Sequence, residues 1–185
     1  SLRAITTEAQ VNLAAVNYHF QSKDALIDAV LERRIGPVTQ RRLEMLDAAE
    51  ADPAGLTLEK VIEAFAAPVV EAAMSQPGLA PLMGRIMATP GAFLERVFLR
   101  YMEAVKSRFL PALLRCGVQL PPEELFWRLH FMVGSLAHVL VFAPVMPAMS
   151  NGLCQVNDAR RIVSRLVAFC AAGMRAPVEQ MEKQA

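Results

Sequence analysis

Residues 12–23 read Asn-Leu-Ala-Ala-Val-Asn-Tyr-His-Phe-Gln-Ser-Lys, and they carry the most suggestive chemistry in the chain. Asn17 presents a side-chain amide of the kind that pairs bidentately with adenine. Leu13, Ala14 and Ala15 suit contact with thymine methyl groups. Tyr18 and His19 can donate to phosphate oxygens, and Lys23 lies at a helix start, where backbone N–H groups also favour an anion. Such a set works only on a short helix held outside its supporting body. The sequence supplies one. A helix ends near Ala9, the chain turns at Gln10 and Val11, and Asn12 opens a second helix that closes at His19 and Phe20. Ser22 then offers an N-cap oxygen to a third. Two short helices joined by a tight turn form a helix-turn-helix, whose second helix fits a DNA major groove. Val11, Val16 and Phe20 are spaced to face the core of this unit, which leaves Leu13, Ala14, Ala15, Asn17 and Tyr18 outside. A plain three-helix packing unit, with Tyr18 and Phe20 as core, is the alternative.

Other chemistry finds less support. No GxSxG, P-loop or GxGxxG pattern occurs, and no cysteine stands beside a histidine, so neither catalytic residues nor a cofactor are expected. His130 and His138 lie on one helix face, but a metal site needs more converging ligands, and none is expected. Cys116, Cys154 and Cys170 are odd in number and form no CxxC, which suits reduced thiols in a cytoplasmic protein. The net charge is only +1, so there is no global basic field for nucleic acid. Arg33–Arg34 and Arg41–Arg42 are local basic pairs, read most simply as solvated helix faces.

The elements that must position these residues are helical throughout. Hydrophobic residues make up 54% of the 185 and charged residues 20%. Mean hydropathy is +0.31. That balance points to a buried subunit interface, a large apolar pocket or a membrane association. Leu26, Ile27, Val30 and Leu31 begin a helical stripe over 22–50, and Gly36-Pro37 predicts a kink or break within it. Thr57 caps a helix to about 75, with Val61, Ile62, Phe65 and Val69 inward and a bend expected at Pro68. Further helices are predicted over 79–88, 92–116, 123–142 and 156–174. Ile162, Leu166, Phe169 and Cys170 form the last stripe, with Arg160, Arg161 and Arg165 on its wet side. The fold class is therefore all-α. The stretch 131–149 is the most apolar, but Pro144 and Pro147 cut it short and His138 lies inside it. No membrane span is expected; a helix buried from several sides is. Met83, Met87 and Met102 with Phe65, Phe98 and Phe131 are candidates to line an apolar ligand cavity, since methionine adapts to irregular shapes. Ordinary core is the competing reading for each. Three segments result: 1–35, 36–178 and a polar tail at 179–185.

The stretch VNLAAVNYHFQSKDALIDAVL resembles the signature of TetR/AcrR-type transcriptional regulators. Val11-Asn12, Tyr18-His19-Phe20 and Ser22-Lys23-Asp24-Ala25-Leu26 take the places of that family's V-S, Y-H-F and S-K-E-A-L. Gln10 stands where the family has glycine, which relieves a strained backbone there. The resemblance implies a helix-turn-helix DNA-binding head followed by a helical effector-binding and dimerisation domain. It implies a ligand-responsive repressor on a palindromic double-stranded operator. Arg3, Asn12, Leu13, Ala14, Ala15, Asn17, Tyr18, His19 and Lys23 would meet the DNA. A homodimer through the helices near 123–142 and 156–174 would set two reading helices about one DNA turn apart. A complete family member has one more helix before this point, so the head is expected to be N-terminally truncated here. The wording of residues 15–38 is also similar to the PsrA-like, fatty-acid-responsive subgroup. A long-chain fatty acid or acyl thioester is then the favoured effector, its head met by Arg85, Arg100, Arg128 or His130. A rival of another class is an all-helical lipid-binding or membrane-peripheral carrier that binds no DNA.

Overall fold

A computed structural model describes residues 1–89 and 91–178, the side chains of Leu94 and Phe98 excepted. The tail expected at 179–185 lies outside the described residues. The chain is all-helical, with no strand among the described residues. It divides into two compact units, Ser1–Pro37 and Val38–Ala185.

The first unit holds α1 (Leu2–Glu8), α2 (Leu13–Phe20) and the start of α3 (Lys23–Glu50). Each helix begins on a small polar residue whose side-chain oxygen accepts from a backbone N–H of the first turn, as orphan donors require. Ser1 Oγ accepts from Ala4 at 3.3 Å. Asn12 Oδ1 accepts from Ala14 at 2.8 Å. Ser22 Oγ accepts from Ala25 at 3.0 Å. The α1–α2 turn passes through Gln10 at φ +52°, the left-handed region that glycine favours. One face expectation is corrected. Val11 is exposed, whereas Leu13, expected outside, is half-buried with Val16 and Phe20. The reason is helical phase. The helix starts only after the Asn12 cap, so Val11 precedes it, and 13, 16 and 20 share one face.

α3 runs through Gly36-Pro37 as one helix, so of the expected kink or break the break does not occur. Proline removes one intrahelical hydrogen bond. Buried residues recur at helical spacing in each part, Leu31 and Ile35 before the proline and Val38, Arg42 and Leu46 after it.

The second unit is built around α4 (Leu58–Ser75). Thr57 Oγ1 caps it by accepting from Lys60 at 3.3 Å. Leu58, Val61, Ile62, Phe65, Val69 and Val70 are all buried, and Ala64, Ala66 and Ala67 are buried with them. A helix apolar nearly all round belongs inside a bundle, and α4 runs on through Pro68. Around it pack α5 (Leu79–Met87), α6 (Ala92–Arg115), α7 (Pro122–Phe142) and α9 (Ala159–Arg175), with α9 its most extensive neighbour. A four-residue helix, α8 (Met146–Met149), was not anticipated.

Three further expectations change. α9 starts at Ala159 because Asp158 caps it, accepting from Arg160 N–H at 2.9 Å. Its buried face is Val163, Leu166, Cys170 and Met174, while Phe169 is 68% exposed. Phe169 lies one position off the 3-4 stripe that Leu166 and Cys170 belong to. α7 is buried along one side only, through Leu125, Arg128, Met132, Leu136 and Leu140. Phe126, Trp127 and Phe131 are exposed, so it is not enclosed from several sides. It is long and apolar enough to span a bilayer by length and composition, at mean hydropathy 1.5, yet its buried side belongs to the core around α4.

Candidate functional site

On α2, Ala14, Asn17 and Tyr18 share an exposed face at i, i+3 and i+4, and Ala15 and His19 lie beside them. Tyr18 is 83% exposed, and its ring meets His19 edge-on at 5.4 Å between centroids. An exposed tyrosine on a helix of small residues is free to donate its hydroxyl. Asn12 is exposed, but its Oδ1 is used by the cap, which leaves only its amide N–H groups for another partner. Arg3 on α1 and Lys23 in the first turn of α3 are exposed as well. Of the nine residues expected at DNA, only Leu13 is half-buried; it supports the helix from within.

Of the six residues expected to line one cavity, the five whose side chains are described do not converge. Phe65 is buried on α4 and packs edge-on against Phe109 of α6, centroids 5.7 Å apart. Met83 and Met102 are half-buried against the same core. Met87 is 44% exposed and Phe131 62% exposed. Phe131 lies on the outer side of α7, stacked on Trp127 at 5.9 Å, because its neighbour Met132 takes the inner side. The Phe98 side chain lies outside the described residues. Two hollows open on the second unit. One of about 320 Å³ is lined by Leu58, Cys116, Val118, Met174 and Pro177 among others. One of about 810 Å³ runs between α4 and α9 past Glu59, Glu63, Glu71, Arg160 and Ser164. None of the five described residues lines either.

The basic residues sort differently from expectation. Arg128 is buried and committed. Its Nε donates to Glu124 Oε1 at 2.7 Å, and its Nη1 to the carbonyls of Gly173 at 2.8 Å and Ala176 at 2.6 Å. It satisfies the last carbonyls of α9, a job a cation does well, and so is spoken for. Arg85 is exposed, Arg100 lies over the Tyr101 ring, and exposed His130 lies beside Phe126. Of the Arg41–Arg42 pair only Arg41 is solvated, 3.4 Å from Glu44. Arg42 is 8% exposed. Its Nε donates to the Phe65 carbonyl at 2.7 Å, and its guanidinium carbon lies 4.1 Å from the Phe65 ring centroid. Burial pushes the guanidinium down to about 10. One turn away, the Thr39 hydroxyl is buried with no hydrogen-bond partner. Nothing local in the sequence marks Arg42 as the buried member of its pair; only the place where α4 packs does. Among the described residues no three His, Cys, Asp or Glu side chains converge on a metal-sized site.

A family model described as "Tetracyclin repressor-like, C-terminal domain" matches residues 63–173. The chain belongs to that family. No curated protein matches the chain. The tetracyclin repressor-like domain takes in α5, α6, α7 and α8 entire, with most of α4 and α9. It is the sensing part of a ligand-responsive transcriptional regulator. Residues 11–26, where the sequence motif lies, fall outside the matched span.

Proposed function

We propose that the protein is a dimeric repressor that reads a palindromic operator with α2 and lets go when a small apolar effector binds the tetracyclin repressor-like domain. The exposed Ala14-Asn17-Tyr18 face carries the reading. A solvated helix face without charges is poorly explained by solubility and well explained by base edges. Asn17 reads adenine, Ala14 and Ala15 meet thymine methyls, and Tyr18, His19, Lys23 and Arg3 hold phosphates. The exposed Trp127 and Phe131 on α7, with Phe169 on α9, support a homodimer closed through these two helices. A long-chain fatty acid or acyl thioester is the effector we favour. It releases DNA only by binding one conformation of the dimer better than the other. The protein's work in this reading is binding rather than catalysis, in the cytoplasm.

The test is capture of fragmented genomic DNA on the full-length protein, followed by titration of the enriched fragments. Tyr18→Ala and Lys23→Ala should each weaken operator binding by about tenfold or more while leaving circular dichroism unchanged. No enrichment at low salt, where phosphate contacts are strongest, would overturn the proposal. The exposed aromatics of α7 also favour a second reading, a membrane-peripheral lipid carrier. That reading requires vesicle binding together with no enriched DNA.

A further inference from the structure

Arg42 is the one buried cation of the second unit, among the described residues, that is held without a carboxylate. Arg128, equally buried, has Glu124. Arg108 and Arg115, both exposed, pair with Asp47 and Glu50. A guanidinium carries five N–H donors in a flat fork. Arg42 uses one of them, on the Phe65 carbonyl. Burying such a charge without a counter-charge is unfavourable and is seldom tolerated without a reason. Pro68 does not explain it: the carbonyl that the proline leaves without a donor is that of Ala64, and Arg42 bonds the next one, that of Phe65. The charge itself stays uncompensated. Thr39 has the same character. A helical threonine ordinarily donates back to the carbonyl one turn earlier, and here its buried hydroxyl donates to nothing. The two residues lie three apart on α3, hence on one face.

We propose that Arg42 and Thr39 are the anchor for the head of the effector, and that the effector is a monocarboxylate with an apolar body. This rests on the effector-binding reading above. The carboxylate takes the free edge of the guanidinium fork, a geometry that fits two oxygens. The Thr39 hydroxyl donates to the same head. A single negative charge balances the single positive one, whereas a phosphate dianion would leave a charge buried and unmatched. The Phe65 ring beside Arg42, itself packed against Phe109, suits an apolar body. Anchoring on α3 also gives the ligand a grip on the one helix that continues into the unit bearing α2.

The experiment titrates the full-length protein with dodecanoate, methyl dodecanoate and dodecanol by calorimetry. The same series is run on Arg42→Met and Thr39→Val. Dodecanoate should bind the wild type at least tenfold tighter than the ester or the alcohol. Arg42→Met should erase that preference while leaving ester and alcohol affinities in place, and Thr39→Val should reduce it several-fold. Arg42→Met removes a buried charge for a side chain of similar length, and retained thermal unfolding verifies that it folds. Thr39→Val, which keeps shape and loses the hydroxyl, stands in if it does not. Binding of all three probes without preference for the acid would overturn the anchor and spare the effector reading. Equal loss for all three in Arg42→Met would make Arg42 a packing residue and overturn the anchor. Binding of none of them would overturn both.

Discussion

Gln10 holds a backbone conformation at φ +52°, where a Cβ crowds the neighbouring carbonyl. An L-residue there sits roughly 1–2 kcal/mol above its right-handed alternative. Gln10→Gly should therefore stabilise the Ser1–Pro37 unit by about 1 kcal/mol, with glycine's entropy subtracting part of the gain. Amide hydrogen exchange within residues 1–37 of the full chain measures it, and slower exchange is the expected result. Faster exchange would mean that the glutamine side chain contributes more than its backbone costs. The single-residue features legible in the sequence were those with local causes. Ser22 and Thr57 cap helices because their own hydroxyls reach the first turn. Arg42 was not legible, because its burial is decided by the Phe65 carbonyl, a residue 23 positions away. Leu13 was misplaced because Val11, a residue of the turn, was counted on the inner face with Val16 and Phe20, whereas Leu13 holds that place in the helix.

At the scale of helices, α4 and α9 are joined at one end by Glu59 and Arg175. Both guanidinium Nη atoms donate to the carboxylate, at 2.5 and 3.0 Å. Those bonds from Arg175 hold the Glu59 carboxyl below its ordinary value of 4.5. The folded value lies below the unfolded one, so the clasp's contribution is complete above about pH 4.5 and is lost as pH falls through the lower folded value. Both side chains are about half exposed, so solvent screens the pair and its contribution is small. Glu59→Gln should lower the urea midpoint at pH 7, and the gap to the wild type should narrow as the pH is taken below 4.5 to 3. A gap of equal size at both would show that the pair does not titrate with folding. Helix order and approximate bounds were legible because the 3-4 spacing of apolar residues is written in the chain. The one-sided burial of α7 was not. An apolar helix looks the same in sequence whether its second face meets its own chain or a neighbour.

For the molecule as a whole, Trp127, Phe131, Gly134, His138 and Phe142 fall along one outward stripe of α7. A Cβ added at Gly134 would meet nothing within 4 Å in the chain itself. If that stripe closes a two-fold dimer, each substitution acts twice. Losing the burial of one phenyl ring costs about 1.5–3 kcal/mol. Phe131→Asp should therefore raise the dimer dissociation constant roughly a hundredfold or more and leave helix content unchanged. Sedimentation equilibrium reads the first and circular dichroism the second. An unchanged dimer would move the interface elsewhere. The family itself was legible from two places that do not overlap. The motif at residues 11–26 suggested it, and the match over 63–173 lies wholly beyond that motif.

Trp127 is the single tryptophan of the chain, and it is 52% exposed on that same stripe. Every photon of indole emission thus comes from one known place on the molecule's surface. The protein is, in effect, manufactured with its own optical label, set where the proposed dimer through α7 would cover it. Assembly can be followed by dilution in a cuvette, with no dye and no engineered residue, by the colour and quenching of one ring.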